Sequence, residues 1–96
     1  MYALLTWYGG LTQEQYDTVQ RRLGPLPVTD ERRLCVDGPM EDGWQSFELW
    51  SSQPAYQQYL AAVREALTEL GYPLRLGSWS WPVHRILPAL NPVQES

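Results

Sequence analysis

Short apolar runs and two amphipathic stretches alternate along the chain, and this pattern predicts six elements. Their order is strand, helix, strand, strand, helix, strand, which is that of the ferredoxin-like split βαββαβ unit. We therefore predict an α+β domain over residues 1–88, followed by a C-terminal tail at 89–96. Right-handed crossovers would give a four-stranded antiparallel sheet with both helices on one face. The predicted strands are 2–8, 31–37, 44–50 and 74–87.

Both predicted helices have recognisable ends. Thr12 and Gln15 form a T-x-x-Q capping box at the start of the first helix, which ends at Gly24-Pro25. Ser52 is the predicted N-cap of the second helix and Gly71 its C-cap. The second helix carries an apolar stripe at helical spacing, made of Tyr56, Tyr59, Leu60, Val63, Leu67 and Leu70.

The connections are predicted from turn-forming residues. Pro25–Asp30 is predicted to be a loop. Asp37-Gly38-Pro39 and Glu41-Asp42-Gly43 predict the turn of a hairpin between the second and third strands. The last strand contains Gly77 and Pro82, and a proline there indicates an edge strand or a bulge.

The predicted sheet is apolar on both faces. The first strand carries Leu4 and Tyr8 on one side and Leu5 and Trp7 on the other. A single sheet with helices on one side should have one polar face. We therefore expect the second face to pack against an identical sheet, which would make the protein a homodimer with a barrel-like core between subunits.

Composition and charge exclude several classes of protein. The net charge is −4, with eleven acidic residues against seven arginines, so nucleic acid and anionic membranes are not expected as partners. No apolar run approaches the ~20 residues that span a bilayer, and the first residues do not have the pattern of a signal peptide. One cysteine and one histidine exclude the usual tetrahedral zinc site. The single cysteine cannot form an internal disulfide, which fits a cytoplasmic location.

Four segments carry a resemblance to a known group of proteins: LTQEQYDTVQRRLGP, DGPMEDGW, FELWSSQPAYQQYL and PVHRIL. They resemble the dimeric α/β-barrel superfamily and, within it, small stand-alone proteins similar to antibiotic-biosynthesis monooxygenases. The resemblance covers Tyr2 to Leu87 and implies a homodimer formed through the open face of the sheet. It also implies a pocket between sheet and helices for a small aromatic or hydrophobic molecule. It does not specify a reaction.

The departures from haem-degrading members of that superfamily are informative. Those enzymes use an asparagine on the first strand and a tryptophan and a histidine on the second helix. Here the first strand has no asparagine, Tyr59 stands where the tryptophan would fall, and Glu69 is near the histidine position. We therefore expect no haem, and no other cofactor or metal.

Two residues are candidates for catalysis. His84 is the natural proton carrier because its ordinary pKa is near neutrality; the alternative is a structural histidine that bonds a backbone group or a carboxylate. Glu48 lies between Phe47 and Leu49 and shares a face with aromatic residues, where burial would raise its pKa. The alternative is that Glu48 pairs with an arginine, such as Arg75 or Arg85, and fixes strand register.

Candidates for substrate binding come from the high content of aromatic residues, which suits a planar ligand but also suits core packing. The candidates are Trp50, Tyr56, Tyr59 and Trp81. Cys35 is expected to be a small buried hydrophobe with no cationic neighbour.

Two functions are open at this point. One is an enzyme similar to antibiotic-biosynthesis monooxygenases that oxidises a small aromatic substrate without a cofactor. The other is a non-catalytic homodimeric binding or structural protein.

Overall fold

The structure, a computed structural model, describes residues 1–24 and 31–87, and its elements follow the order βαββαβ. The elements are β1 (Tyr2–Gly9), α1 (Gln13–Leu23), β2 (Arg32–Met40), β3 (Gly43–Trp50), α2 (Gln53–Leu70) and β4 (Arg75–Pro82). The sheet has the order β2-β3-β1-β4, and every neighbouring pair is antiparallel. The predicted ferredoxin-like fold is confirmed. The predicted loop at 25–30 and the predicted tail at 89–96 lie outside the described residues.

The predicted helix ends are also confirmed. The Thr12 hydroxyl accepts from the Gln15 backbone N–H at 3.1 Å, and the Gln15 side chain accepts from the Thr12 N–H at 3.1 Å. The Ser52 hydroxyl accepts from the backbone N–H of Ala55 at 3.3 Å. Gly71 ends α2 in the left-handed conformation, with φ of 72°. These contacts satisfy backbone groups that a helix end leaves unpaired.

Two predicted strand boundaries were wrong. β2 continues through Asp37-Gly38-Pro39 to Met40, so the hairpin turn is confined to Glu41 and Asp42. Pro39 is tolerated because β2 is an edge strand, where a missing N–H costs no ladder hydrogen bond. β4 ends at Pro82 rather than Leu87, because its partner β1 begins at Tyr2, the residue opposite Pro82.

The two helices cover the sheet face that carries Leu4, Thr6 and Tyr8, which we call the inner face. The main core lies between this face and the helices and includes Leu4, Tyr8, Tyr16, Val19, Trp50, Tyr59, Val63 and Leu67. The helices are joined by an ion pair between Arg22 and Glu69. A hydrogen bond of 3.0 Å from the Gln20 amide to the Tyr59 hydroxyl links α1 to α2.

The opposite face of the sheet, which we call the outer face, is apolar and open. It is formed by Leu5, Trp7, Leu34, Val36, Phe47, Leu49, Trp79 and Trp81. Trp79 is 65% exposed and Val36 56% exposed. The Trp7 indole lies directly over Gly77, where a Cβ atom would approach its ring atoms to 2.4 Å. Gly77 therefore lets a large ring lie flat on this face.

Candidate functional site

A row of polar residues crosses the inner face of the sheet, with its two middle members buried beneath the helices and its two end members exposed. Strand register places Asp37 beside Ser46, Ser46 beside Thr6, and Thr6 beside Ser78. Thr6 and Ser46 are completely buried. A sheet face covered by helices is ordinarily apolar, so this row marks the inner face as unusual.

Four hydroxyl groups in this region are buried and have no hydrogen-bond partner among the described residues. They belong to Thr6, Tyr8, Tyr16 and Ser46. The rings of Tyr8 and Tyr16 meet edge to face, with centroids 5.2 Å apart. A buried hydroxyl without a partner costs about 1–3 kcal/mol. We call these four residues, together with Glu48 and Tyr59, the interior polar cluster.

Glu48 is the charged centre of this cluster and is 0% exposed. Its Oε2 accepts from Arg32 Nη1 at 2.9 Å and from Cys35 Sγ at 3.6 Å. Its Oε1 accepts from Trp50 Nε1 at 3.3 Å. Glu48 does pair with an arginine, as one of the two interpretations predicted, but the arginine is Arg32 and not Arg75 or Arg85. Arg75 pairs with Asp42 at 3.3 Å, and Arg85 contacts His84 at 3.4 Å.

Arg32 reaches Glu48 because of an irregularity in β2. Arg32 lies opposite Trp50 of β3, and Leu34 lies opposite the adjacent residue, Leu49. Arg33 therefore has no partner in β3 and forms a β-bulge. Such a bulge re-aims the side chains before it. It turns Arg32 to the inner face, where its Cζ atom lies 5.9 Å from the Trp50 ring centroid and 5.5 Å from that of Tyr59.

The buried environment shifts the pKa values of the carboxyl and its arginine partner. Burial raises the pKa of Glu48 above its ordinary value, and the nearby Arg32 guanidinium limits the rise. Burial, the largest single cause, acts to lower the pKa of Arg32, but the charge and hydrogen bond of Glu48 together with Tyr59 and Cys35 outweigh it, and the net shift of the pKa is upward. Arg32 is therefore always a cation, whereas Glu48 is closer to taking up a proton than an exposed carboxyl.

The tyrosine hydroxyls of the cluster are held in the protonated form. Burial and the neighbouring negative charge of Glu48 raise the pKa of Tyr8. Burial is also the main cause of the raised pKa values of Tyr16 and Tyr59. The Tyr8 hydroxyl is near those of Tyr59 and Ser46, but without hydrogen-bond geometry. These hydroxyls are therefore available as hydrogen-bond donors.

Cys35 differs from its prediction. It is exposed on the edge strand rather than buried, and it does have a cationic neighbour, since both it and Arg32 bond the same oxygen of Glu48. Desolvation and the Glu48 carboxylate nevertheless raise the pKa of the thiol to about 11. Cys35 is thus a thiol at neutral pH and a weak nucleophile.

The structure brings together three of the six candidate site residues and separates the others. Trp50 and Tyr59 lie beside Glu48, with ring centroids 5.1 Å apart. Tyr56 is also on the inner side, and its hydroxyl is 2.8 Å from that of Ser80. Trp81 lies on the outer face against Phe47, with ring centroids 6.3 Å apart.

The sixth candidate, His84, follows the end of β4. It is exposed, and its Nε2 atom lies 3.4 Å from Nη2 of Arg85. Within the chain, therefore, His84 and the buried Glu48 do not form a common site.

Other features of the described residues bear on ligands. An open depression of about 300 Å³ lies mainly on the outer face, next to β2, and is lined by Leu5, Val36, Asp37, Gly38, Gln45, Ser46 and Phe47. Residues 1–24 and 31–87 contain no group of three or more histidine, cysteine or acidic side chains arranged to hold a metal ion. In the same ranges no helix has the length and apolar character to span a membrane.

Solved structures with the same fold support the resemblance seen in the sequence. A protein from Deinococcus radiodurans, described as a candidate antibiotic biosynthesis monooxygenase, is similar with a TM-score of 0.64 at 14% identity, over 91% of this chain and 96% of that one. A similarly described protein from Chloroflexus aurantiacus has a TM-score of 0.55 at 18% identity, over 91% and 98% of the two chains.

A third structure is that of a mutant of SnoaB, a cofactor-independent oxygenase from Streptomyces nogalater. Its TM-score is 0.58 at 11% identity, over 91% of this chain and 95% of that one. No protein-family model and no curated protein matches this sequence. The chain therefore has the ferredoxin-like fold of antibiotic biosynthesis monooxygenase-like proteins, and at these identities the likeness shows the fold alone.

Proposed function

We propose that this protein is a homodimeric, cofactor-independent enzyme of the monooxygenase type that oxidises a small aromatic compound between the sheet and the helices. The observation that carries the proposal is the interior polar cluster, a buried carboxyl surrounded by aromatic rings and unpartnered hydroxyls. Perturbed titratable groups and unpaired polar groups are characteristic of functional sites. The shared fold with SnoaB supports the reaction class by analogy.

Glu48 would act as the base in this proposal. Its raised pKa suits it to accept a proton from an acidic C–H or O–H group of the substrate. Dioxygen would be the oxidant: one oxygen atom becomes a carbonyl on a substrate CH₂ carbon, and the other leaves as water with the two hydrogens. Trp50 and Tyr59 would orient the aromatic ring, and burial would exclude water from the anion.

The proposed homodimer rests on the outer face. Exposed apolar patches of this kind mark interaction surfaces. A two-fold axis would bring the same face of two identical chains into contact, so that each copy covers the other. An identical sheet would bury Trp79, Trp81, Leu34 and Val36 together. We also propose a cytoplasmic location, on the basis of the single cysteine.

One observation favours the second candidate function, a non-catalytic homodimeric binding or structural protein. Glu48 already receives hydrogen bonds from Arg32, Cys35 and Trp50, which is the environment of a structural carboxylate.

Oxygen uptake separates the two functions. We expect the native protein to accelerate oxygen consumption with at least one compound in a panel of anthrones and dihydroxynaphthalenes. Glu48→Gln should lower the rate by about 100-fold or more, the usual contribution of a general base. Glu65→Gln makes the same change at an exposed position of α2 and should leave the rate unchanged. Failure of the native protein to accelerate uptake with any compound would favour the non-catalytic function.

A further inference from the structure

The outer face of the sheet has two unlike halves. Its tryptophans, Trp7, Trp79 and Trp81, all lie on the neighbouring strands β1 and β4. The outer-face side chains of β2 and β3 include no tryptophan, and the open depression of about 300 Å³ lies between these two strands. We call the half formed by β1 and β4 the raised half, and the half formed by β2 and β3 the recessed half.

The depression lies where Gly38 contributes no side chain. Gly38 is opposite Gln45 of β3, and a Cβ atom placed on it would meet no atom within 4 Å. Val36 and Phe47 border the same depression. A cavity of about 150 Å³ accommodates a benzene ring, so this depression has room for an indole ring.

Strand register places the tryptophans and the depression at the same height along the strands. One row across the sheet consists of Val36, Phe47, Leu5 and Trp79. The next row consists of Gly38, Gln45, Trp7 and Gly77. In each of these rows a tryptophan stands on the raised half, and a lining residue of the depression stands on the recessed half.

A two-fold axis can bring two copies of this face together in two ways. An axis perpendicular to the strands places β4 on the partner's β4, so that tryptophans meet tryptophans and both depressions stay empty. An axis parallel to the strands, between β3 and β1, places β4 on the partner's β2 and keeps each row at its own height. Only the second axis fills each recessed half with a raised half. Interfaces between identical chains are packed as closely as protein interiors, which favours that axis.

The exposed area agrees with a second copy as the occupant. At about 250 Å² for a whole tryptophan, exposures of 36%, 65% and 41% leave about 350 Å² of Trp7, Trp79 and Trp81 open. The exposed aliphatic side chains of the recessed half, among them Leu34 and Val36, add to this area. The largest apolar patch on a typical monomer is about 300–600 Å². The outer face therefore reaches the upper end of that range, where contact with another chain is expected.

We infer that two copies of this chain pack with β4 of each on β2 of the other, so that the partner's Trp7 enters the depression at Gly38 and the partner's Trp79 covers Val36. The inference rests on the homodimer of the proposed function. It adds the direction of the two-fold axis and the residues that meet across it. Gly38 is then the residue that makes room for the partner.

Mixing two charge variants tests whether β4 faces β2. Trp79→Glu and Val36→Arg should each be monomeric, because self-association would bury an unpaired charge against an apolar surface. In an equimolar mixture, each heterodimer would contain one introduced ion pair and one native contact. Its association, measured by sedimentation velocity, should be at least 10-fold tighter than that of either variant alone. Trp79→Glu should stay monomeric when it is mixed with Gln57→Arg, whose new charge lies on exposed α2.

A second mixture tests the other axis. Trp79→Glu and Trp79→Arg would pair with each other if β4 faced the partner's β4, and they should stay monomeric if it faces β2. Far-UV circular dichroism checks that each variant is folded. Trp79 and Val36 are more than half exposed in the chain, so neither change disturbs the core.

Filling the depression tests the role of Gly38 without adding a charge. Gly38→Phe has room within the chain, because a Cβ atom at this position meets no atom within 4 Å. It should weaken self-association at least 10-fold, since the added ring takes the space of the partner's indole at two symmetric contacts. Gln57→Phe adds the same ring on exposed α2 and should leave self-association unchanged.

A monomeric native protein, or a dimeric Trp79→Glu, would contradict the proposed interface and this inference together. If the native protein is dimeric and Trp79→Glu is monomeric, four results would overturn this inference alone. They are a dimeric Val36→Arg, no gain on mixing Val36→Arg with Trp79→Glu, association of Trp79→Glu with Trp79→Arg, and unchanged self-association of Gly38→Phe.

Discussion

Each of the two faces of the sheet departs from its ordinary character. The inner face, which the helices cover, carries a buried carboxyl and a row of hydroxyls, whereas the outer face carries tryptophans and aliphatic side chains in the open. In an antiparallel sheet covered on one side, the covered face is normally apolar and the open face polar. Stability alone explains neither face of this protein.

The contrast shows that both faces have unsatisfied groups within the chain: exposed apolar side chains on one face and hydroxyls without partners among the described residues on the other. The outer face has apolar area without a cover, and the inner face has hydrogen-bond donors without acceptors. In the proposed function, a second copy would cover the outer face and a bound ligand would accept hydrogen bonds from the inner face. The variants below alter one face and leave the other unchanged.

The largest expected effect is on association through the outer face. Trp79→Glu places a charge at the most exposed of the outer-face tryptophans. We expect it to convert the proposed dimer into monomer, because burying an unpaired carboxylate in an apolar interface is strongly unfavourable. Analytical size exclusion at micromolar concentration measures the change. Gln57→Glu, an equal change of charge on exposed α2, should remain dimeric; a dimeric Trp79→Glu would place the interface elsewhere.

The next effect concerns the charge pair of the inner face. Arg32→Ala removes the partner of a carboxylate that is 0% exposed and should lower the free energy of unfolding by about 3 kcal/mol. That value is at the low end for a broken buried pair, since the Arg32 side chain is itself 24% exposed. Urea unfolding gives the value. Arg64→Ala, an exposed arginine on α2, should change stability by less than about 0.5 kcal/mol; equal losses in the two variants would contradict the pairing.

A smaller effect is expected from pH. The folded pKa of Glu48 is raised, so the stability that this group contributes is present below its unfolded pKa of about 4.3 and is lost as the pH rises through the folded value. The Tm of the native protein minus that of Glu48→Gln should therefore fall between pH 4 and pH 8. Using the difference cancels the titration of other groups. A difference that rises with pH would mean that Arg32 lowers the pKa of Glu48 below that of the unfolded chain.

The smallest effect is on the reactivity of Cys35. With a pKa of about 11, its thiol should react with iodoacetamide at pH 7 more slowly than a free cysteine. The rate should rise with pH up to about 11. Glu48→Gln removes one cause of the raised pKa and should speed the reaction at pH 7. Native Cys35 reacting faster than free cysteine would show instead that Arg32 dominates at this thiol.

The sequence predicted the fold well because local signals agreed. The capping box at Thr12, the stripe from Tyr56 to Leu70 and the two-sided apolar strands each indicated one element, and together they indicated the βαββαβ order. The end of β4 was missed because it depends on where β1 begins. Pairing partners decide such boundaries, and residue type does not.

The site was predicted only in part. Glu48 was identified from strand parity, and Trp50 and Tyr59 were identified from the high content of aromatic residues; both signals can be seen without the fold. Arg32 was missed because a bulge at Arg33 turns it to the inner face. The charged residues at the start of β2 contain no sequence signal that predicts this bulge. The hydroxyls of Thr6 and Ser46 were missed for another reason. Their position beside each other depends on the register between β1 and β3.

Sedimentation equilibrium of the native protein tests the central claim most directly, since the proposed dimer covers the exposed outer face with a second copy. We expect a single folded species of twice the chain mass of 11.1 kDa, maintained down to micromolar concentration. A folded, monodisperse species of 11.1 kDa at that concentration would contradict it.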